Sequence, residues 1–356
     1  MTGLIQTEAG LSEVIDAIAS HPVIGLDTEF VRVSTFHPRP GLIQVAGGER
    51  SFLIDPIVDL DLQPLGEVLS GTTVSVLHAA QEDYEVLYQL TGAIVTPVFD
   101  TQIAHALLAP EMSLSLSALC EAKLGVEISK DETRSDWTQR PLTEAQCRYA
   151  REDVRVLEPL YDVLYSELES KGRLEWMAEE MRRIQTRNQR IFDNGDIETQ
   201  VHRFGNAWRL SPEGMSRLVH LVQWREDTAR RVDKPRKHIL GDQSVFQLAA
   251  SGRVERDHHL VQTFGLSHQQ ADRYGREIRD VLEEASQAGG INPPPPPLSK
   301  KLKDALKERQ QACEAVARDL GIAPEFLVRK RELVASLDGR GWTPDGWRAD
   351  VLEGVF

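Results

Sequence analysis

Apolar and polar residues follow two different periods in the first 170 residues of this 356-residue chain. Short apolar runs rich in β-branched residues predict strands, and apolar residues spaced three to four apart predict helices. The predicted strands are 23–30, 42–46, 51–55, 74–78 and 94–100. The predicted helices are 9–20, 62–69, 82–90, 101–108, 114–124 and 143–164, the last with Thr143 as N-cap and a kink at Pro159. A hairpin followed by alternating strands and helices predicts an α/β domain with a mixed sheet covered by helices.

The remaining residues have helical periodicity throughout, interrupted by one proline run. Five consecutive prolines, Pro293–Pro297, follow a Gly-Gly pair and would span about 15 Å as a semi-rigid spacer. The division that follows is an α/β domain, a helical connector, a helical domain, a linker and a second helical domain. Their predicted bounds are 1–172, 173–204, 205–288, 289–297 and 298–356.

Composition predicts a soluble intracellular protein. Hydrophobic residues make up 41% and charged residues 27% of the chain, and no apolar run reaches the ~18 residues of a membrane span. The first eight residues lack the basic start and apolar core of a signal peptide. Three widely spaced cysteines argue against a disulfide framework or a zinc site. We therefore expect a cytoplasmic protein without a membrane partner, and a monomer as the default.

The net charge of −14 is unevenly distributed. Residues 1–170 hold 10 basic and 27 acidic residues, whereas the rest of the chain holds 31 basic and 28 acidic ones. Bound metal ions could offset part of the N-terminal acidity, and the basic residues of the C-terminal half could meet phosphates. The same distribution also fits a charged surface that only maintains solubility.

Two carboxylates interrupt the first predicted strand. Asp27 and Glu29 are two residues apart, so on a strand their side chains project to the same side. Because adjacent anions repel each other, a hard divalent cation with oxygen ligands is the natural partner between them. The alternative is that both residues lie at the surface and face water, as most carboxylates do.

Two further acidic positions lie where they could complete such a site. Glu82 or Asp83 would lie in the first turn of a helix that follows a strand, although an acid there also favours the helix N-terminus electrostatically. Tyr149 and Asp153 are four residues apart and therefore share one helical face. The alternative for this pair is a tyrosine in the core and an aspartate paired with an arginine.

Taken together, these acids and the tyrosine resemble the DEDDy exonucleases, and among them the ribonuclease D family. The stretches that carry the likeness are Asp27–Arg32, Gly41–Gln44, Leu53–Pro56, His78–Asp83, Phe99–Gln102, Ser135–Trp137 and Arg140–Thr143. The resemblance covers residues 1 to about 170. It implies a ribonuclease-H-like fold and removal of single nucleotides from RNA 3′ ends, with transfer RNA precursors as one substrate class.

The resemblance also implies roles for individual residues. It makes four acids metal ligands and one phenol the group that orients the attacking water, namely Asp27, Glu29, Asp83, Asp153 and Tyr149. It places three further residues near the scissile nucleotide, namely His78, Gln81 and Trp137. All-oxygen ligands suit two divalent cations, Mg²⁺ or Mn²⁺, of which one activates a water and the other stabilises the departing 3′ oxygen. We expect Asp27 to bridge both ions.

The helical part of the chain resembles the HRDC domain shared by RecQ-type helicases and ribonuclease D. The matching stretches are Arg225–Pro235, Ile239–Asp242, Leu248–Ala249, Phe264–Leu266 and Tyr274–Gly275. Residues 298–356 resemble a second HRDC-like domain. We expect both to bind structured RNA through its phosphates. The alternatives to an exoribonuclease are a DNA 3′–5′ exonuclease of the same fold and a catalytically inactive RNA-binding scaffold.

Overall fold

The computed structural model describes residues 3–129, 132, 135–252, 254 and 256–356. Met1 and Thr2, with which the predicted first domain begins, lie outside the described residues. The chain forms two compact units, and each is assembled from separate segments. The first unit comprises the residues up to Val31, Pro38–Gln189 and Ser299–Phe356. The second comprises Arg32–His37 and Arg190–Leu298.

A mixed six-stranded sheet forms the centre of the first unit. Its strands are β1 (Leu4–Ile5), β2 (Val23–Val31), β3 (Arg39–Gly47), β4 (Arg50–Ile54), β5 (Val74–Leu77) and β6 (Val98–Asp100). They lie in the order β1-β4-β3-β2-β5-β6; β3 is antiparallel to β2 and β4, and the other pairs are parallel. This confirms the predicted α/β domain with a mixed sheet. The two-residue strand β1 is too short to give a periodic signal and was not predicted.

In the described residues, helices follow or separate the strands. They are α1 (Glu8–Ala19), α2 (Gln63–Leu69), α3 (Gln81–Thr91), α4 (Thr101–Ala106), α5 (Leu116–Leu124), α6 (Glu144–Arg155), α7 (Leu157–Ser170) and α8 (Leu174–Asn194). Thr143 is confirmed as the N-cap of α6, in a capping box with Gln146. In the described part of the chain, no helix combines the length and apolar composition needed to cross a membrane.

Prolines explain two differences from the predicted elements. The prediction of a single helix over 143–164 is wrong, because two helices cover this range: α6 ends at Arg155 and α7 begins at Leu157. Pro159 lies in the first turn of α7, where its missing N–H costs nothing; its ring would clash with the carbonyl of Arg155 if the helix ran on unbroken. The strand predicted over 94–100 is shortened to β6, because Pro97 cannot donate a ladder hydrogen bond.

The second unit is helical, as predicted for this part of the chain. Its helices are α9 (Ile197–His202), α10 (Pro212–Val232), α11 (Arg236–Ile239), α12 (Asp242–Ser251), α13 (Asp257–Gln262) and α14 (His268–Gln287). Buried apolar residues of these helices form one core, and Phe36 belongs to it. Asp233 accepts hydrogen bonds from the backbone N–H groups of Phe36 and His37, both 3.0 Å long. The segment after β2 is therefore an integral part of this unit.

The C-terminal residues return to the first unit. Their helices are α15 (Lys300–Leu320), α16 (Pro324–Leu327), α17 (Lys330–Ala335) and α18 (Trp347–Val351). Cys313, Phe326 and Trp347 are buried in the same apolar cluster as Leu157 of α7. Trp347 also stacks on Trp176, with ring centroids 4.5 Å apart. These residues thus complete the core of the first unit, and the domain boundaries predicted from the sequence stay predictions.

Candidate active site

Three carboxylates from two elements meet above strand β2. Asp27 and Glu29 lie on one side of β2 because side chains alternate along a strand, and Asp153 comes from α6. One carboxylate oxygen of each lies within 4.8 Å of the others. Asp153 is 7% exposed, and the two residues of β2 are partly buried. The structure therefore brings together groups that are 124 residues apart in sequence.

A glycine allows this close approach of helix and strand. A Cβ atom at Gly25 would lie 2.3 Å from the carbonyl oxygen of Val154 and 3.2 Å from the Cβ of Leu157. Only glycine therefore lets the junction between α6 and α7 touch β2. Since Asp153 precedes Val154, this contact sets the distance between the acid of α6 and those of the strand.

The fourth acid is held by a threonine of the same strand. The Thr28 hydroxyl donates a hydrogen bond of 2.5 Å to Oδ1 of Asp83, and both side chains are buried. Asp83 lies in the first turn of α3, whereas the neighbouring Glu82 is exposed. Of the two acids that the sequence left open, the structure places Asp83 beside the strand acids. Its negative charge contributes to the raised pKa of Asp27.

All four carboxyl groups are harder to ionise than usual. Burial raises the pKa of Glu29 to about 8, with contributions from the charges of Asp153 and Asp83. Burial likewise raises the pKa of Asp83 and that of Asp153 to about 6. The pKa of Asp27 lies well above its ordinary value, because of burial and then the charges of Asp83, Glu29 and Asp153. The site thus concentrates negative charge at a cost in free energy.

Tyr149 and Trp137 border the acids. The Tyr149 hydroxyl hydrogen-bonds to the Asp153 carboxylate and lowers the pKa of that group, opposing the larger effect of burial. The Trp137 ring lies against Tyr149, with centroids 6.0 Å apart and an interplanar angle of 40°. Trp137 is only 1% exposed and belongs to the apolar cluster against which Tyr149 packs. A contact of Trp137 with a nucleotide stays a prediction.

An arginine fixes the segment that carries Trp137, and sequence reasoning missed it. The Arg140 guanidinium pairs with both carboxylate oxygens of Asp55, at 2.5 and 2.9 Å. It also donates to the carbonyl oxygens of Gly41 (2.6 Å) and Trp137 (2.9 Å). Asp55 is fully buried, and burial would raise its pKa, but hydrogen bonds from Arg140 and Gln6 hold that pKa below its usual range. Asp55 and Arg140 both lie in stretches that resemble the ribonuclease D family. That resemblance was the signal in the sequence from which this ion pair could have been found.

His78 and Gln81 have partners within the first unit. The Nε2 of His78 donates to the carbonyl oxygen of Leu114 (3.1 Å), and its Nδ1 lies 2.9 Å from the Thr101 hydroxyl. Gln81 is exposed, and its Nε2 lies 3.5 Å from Oδ1 of Asn188. A contact of either residue with a nucleotide stays a prediction.

The residues present fit a divalent metal centre. The charged neighbours that raise the pKa of Asp27 and Glu29 are all carboxylates. Buried carboxylates at this spacing need positive charge, and oxygen donors without histidine or thiolate suit hard cations. Four such groups could hold the cations through their oxygens.

Family models match two parts of the chain. Residues 3–169 match a 3′-5′ exonuclease domain, and residues 215–282 match an HRDC domain. The first match covers the sheet and all four acids, and the second lies within the second unit.

Relatives and a solved structure match nearly the whole chain. A ribonuclease D of Pseudomonas paraeruginosa is 36% identical over 360 residues, covering 98% of this chain and 94% of that protein. A ribonuclease D of Escherichia coli is 31% identical over 369 residues, covering 98% and 96%. The crystal structure of Escherichia coli RNase D, described as an exoribonuclease involved in structured RNA processing, has a TM-score of 0.86 at 30% identity. It covers 99% of this chain and 97% of that one.

Proposed function

The chain belongs to the ribonuclease D family of 3′–5′ exoribonucleases, and we propose that its acid cluster is the centre at which RNA 3′ ends are hydrolysed. One observation supports this assignment above the others: oxygens of Asp27, Glu29 and Asp153 lie within 4.8 Å of one another. Asp83, held by Thr28, supplies the fourth carboxylate. The cluster lies inside the part of the chain that matches the exonuclease family.

We propose two divalent cations, Mg²⁺ or Mn²⁺, as the cofactors. The family depends on divalent metals, and this chain has an acidic cluster suited to them. Asp27 would contact both ions, Glu29 and Asp153 would hold the one beside the attacking water, and Asp83 would serve the other. When bound, such ions supply Lewis acidity that lowers the pKa of water and stabilises the charge on the departing oxygen.

The protein's own residues then position the reactants. Tyr149, hydrogen-bonded to Asp153, orients the water whose oxygen forms a bond to phosphorus while one of its protons passes to solvent. The bond from phosphorus to the 3′ oxygen of the preceding nucleotide breaks, and that oxygen takes up a proton from solvent. A nucleoside 5′-monophosphate leaves, and the shortened RNA ends in a 3′ hydroxyl. The Trp137 ring packs against the Tyr149 ring.

We expect the Tyr149→Phe variant to lower kcat about 100-fold, because a positioned proton-transfer or water-orienting group typically contributes 10²–10⁴-fold. Single-turnover hydrolysis of a 3′-labelled oligoribonucleotide measures the change. Mn²⁺ affinity, measured by titration calorimetry, should stay within about threefold of wild type. A variant that lost metal binding together with activity would contradict the role assigned to the phenol.

The reaction itself is tested with matched RNA and DNA substrates. We expect a 5′-labelled single-stranded RNA to shorten one nucleotide at a time with Mg²⁺ or Mn²⁺, and to stay intact with EDTA. DNA of the same sequence distinguishes the exoribonuclease from a DNA exonuclease of the same fold. An intact RNA under every metal condition would favour an inactive scaffold.

We infer that the physiological substrates are structured RNAs with single-stranded 3′ ends, including transfer RNA precursors. The match to an HRDC domain supports phosphate contacts by the second unit. Lys234 lies between α10 and α11, Lys237 lies in α11, and both are exposed. They are candidates for such contacts.

The variant with Lys234→Ala and Lys237→Ala should bind a transfer RNA precursor about tenfold more weakly, with a shallower dependence of affinity on salt. Each lost phosphate contact is expected to reduce that salt slope by about one. Filter binding at several salt concentrations measures both quantities. Hydrolysis of a four-nucleotide RNA serves as the control and should be unchanged. If hydrolysis of the four-nucleotide RNA falls as much as binding of the transfer RNA precursor, the second unit does not serve as a docking site.

We propose a cytoplasmic location and a monomeric state. Cys120, Cys147 and Cys313 are buried free thiols, which suits a reducing compartment. Light scattering during size-exclusion chromatography tests the second proposal: a monomer of this chain has a mass of 39.9 kDa.

A further inference from the structure

Strand β3 carries one polar side chain in an otherwise apolar run. Gln44 lies between Ile43 and Val45 and is 0% exposed. Among the described residues, neither its Nε2 nor its Oε1 has a hydrogen-bond partner. Leaving a buried polar group unpaired costs about 1–3 kcal/mol, and such groups are rare in native proteins. An apolar residue of similar size would stabilise the strand, so this glutamine requires an explanation.

The register of the sheet places Gln44 beside the acid cluster. Gln44 lies directly opposite Asp27 in the antiparallel pair of β2 and β3, and Leu42 lies opposite Glu29. Residues directly opposite share a face, with Cβ atoms about 4.5–5.5 Å apart. The amide of Gln44 is therefore on the face of the sheet from which Asp27 projects. Leu53 lies opposite Gln44 on β4, and Leu42 and Leu53 belong to one apolar cluster with Ala150.

We propose that Gln44 is a positioning residue for Asp27, an inference that rests on the proposed metal site. An ionised carboxylate has about four acceptor positions, so Asp27 can contact cations and still accept an N–H from the Gln44 amide. Such outer contacts fix the orientation of a ligand and tune its affinity for metal. A neutral donor suits this position, because a lysine or arginine would compete with the cation for the carboxylate. The two side chains are not hydrogen-bonded in the structure; in the proposed pair, the Gln44 amide N–H donates to an oxygen of the Asp27 carboxylate.

The test is the Gln44→Met variant of the full chain, since methionine has a similar length and no donor. We expect the affinity for Mn²⁺, measured by calorimetry with MnCl₂ alone, to fall about 10–100-fold. In EDTA, the melting temperature should equal or exceed that of wild type, because the unpaired amide has been removed. A purely structural role would give the reverse: a lower melting temperature and an unchanged affinity.

Two further variants test whether the length of the side chain at position 44 matters, and whether loss of any buried polar group has the same effect. Gln44→Asn keeps a buried amide but withdraws it by one methylene, and it should lose Mn²⁺ affinity as well. Ser75→Ala is the matched control, because Ser75 is equally buried in β5, its hydroxyl is also unpartnered among the described residues, and it pairs with Ile24 on the opposite face. It should leave the affinity for Mn²⁺ unchanged.

Each outcome decides the proposal. If Gln44→Met binds Mn²⁺ with wild-type affinity, the positioning role is overturned. If both Gln44 variants fail to fold, the role is also overturned, because Gln44 is then a structural residue of the core. Asp27→Asn tests the premise separately: if Asp27→Asn loses Mn²⁺ binding and Gln44→Met does not, only the positioning role fails. If Asp27→Asn retains Mn²⁺ binding, the proposed metal site itself fails.

Discussion

Asp27→Asn is expected to lower turnover of a single-stranded RNA about 1,000-fold or more and to raise the melting temperature measured in EDTA. Bound cations are expected to contribute several kcal/mol to transition-state stabilisation, and about 1.4 kcal/mol corresponds to a tenfold change in rate. The gain in stability has a different cause. Burial, and then the charges of three neighbouring carboxylates, raise the pKa of Asp27, so a neutral amide there removes a buried charge and relieves their repulsion.

The measurements are single-turnover hydrolysis and differential scanning calorimetry of the same preparation. Glu82→Gln is the matched control, because Glu82 is an exposed acid adjacent to Asp83 and should affect neither quantity. Turnover of Asp27→Asn within tenfold of wild type would exclude the acid cluster as the active site. A large fall in the melting temperature would instead assign Asp27 a structural role.

The second large effect concerns pH. In EDTA, we expect the acid cluster to destabilise the protein as the pH rises from 5 to 8, with a partial offset below pH 6.5 from His78 and His105, whose pKa values burial lowers. The pKa of Glu29 is raised from 4.5 to about 8, and the pKa values of Asp83 and Asp153 are raised from 3.8 to about 6. Over this range the folded protein retains protons that the unfolded chain has already released. Raising the pH therefore favours unfolding, and the stabilisation present below pH 4 is lost as the pH passes each folded-state pKa.

The magnitude should reach a few kcal/mol, since one unit of pKa corresponds to about 1.4 kcal/mol and the groups do not act independently. This amounts to a fall of about 10 °C in melting temperature, measured by scanning calorimetry at constant ionic strength. With excess MnCl₂ the trend should reverse, because metal binding requires deprotonated ligands. Glu29→Gln should flatten the EDTA curve between pH 6 and 8. A wild-type curve in EDTA that rises over this range would contradict the prediction.

Much of the site was predictable because its spacing follows the geometry of regular elements. Asp27 and Glu29 fall on one face of a strand through its two-residue period, and Tyr149 and Asp153 fall on one face of a helix. The structure brings the three strand and helix acids together and places the tyrosine against one of them. The choice of Asp83 over Glu82 needed the family resemblance. The structure adds the reason, which is the hydrogen bond from Thr28.

Contacts between distant segments were not predictable from local pattern. Nothing near Arg140 shows that its guanidinium reaches Asp55, 85 residues earlier, or that Gly25 must admit the carbonyl of Val154. The polar character of Gln44 was visible in the sequence, but its meaning depends on the register between β2 and β3. Likewise, helical periodicity in the last 58 residues predicts helices but cannot identify which core they enter.

The shared core of the first unit has a consequence for the synthesis of the protein. On the ribosome, the segment ending at Gln189 precedes the segment beginning at Ser299 by 109 residues. At about 5–20 residues per second, that interval lasts about 5–20 s. Throughout it, the apolar surface that later receives Phe326 and Trp347 has no covering. The nascent chain therefore cannot complete the core of its nuclease unit until the segment from Ser299 to Phe356 has been synthesised, and until then the unit exposes apolar surface to the ribosome and to chaperones.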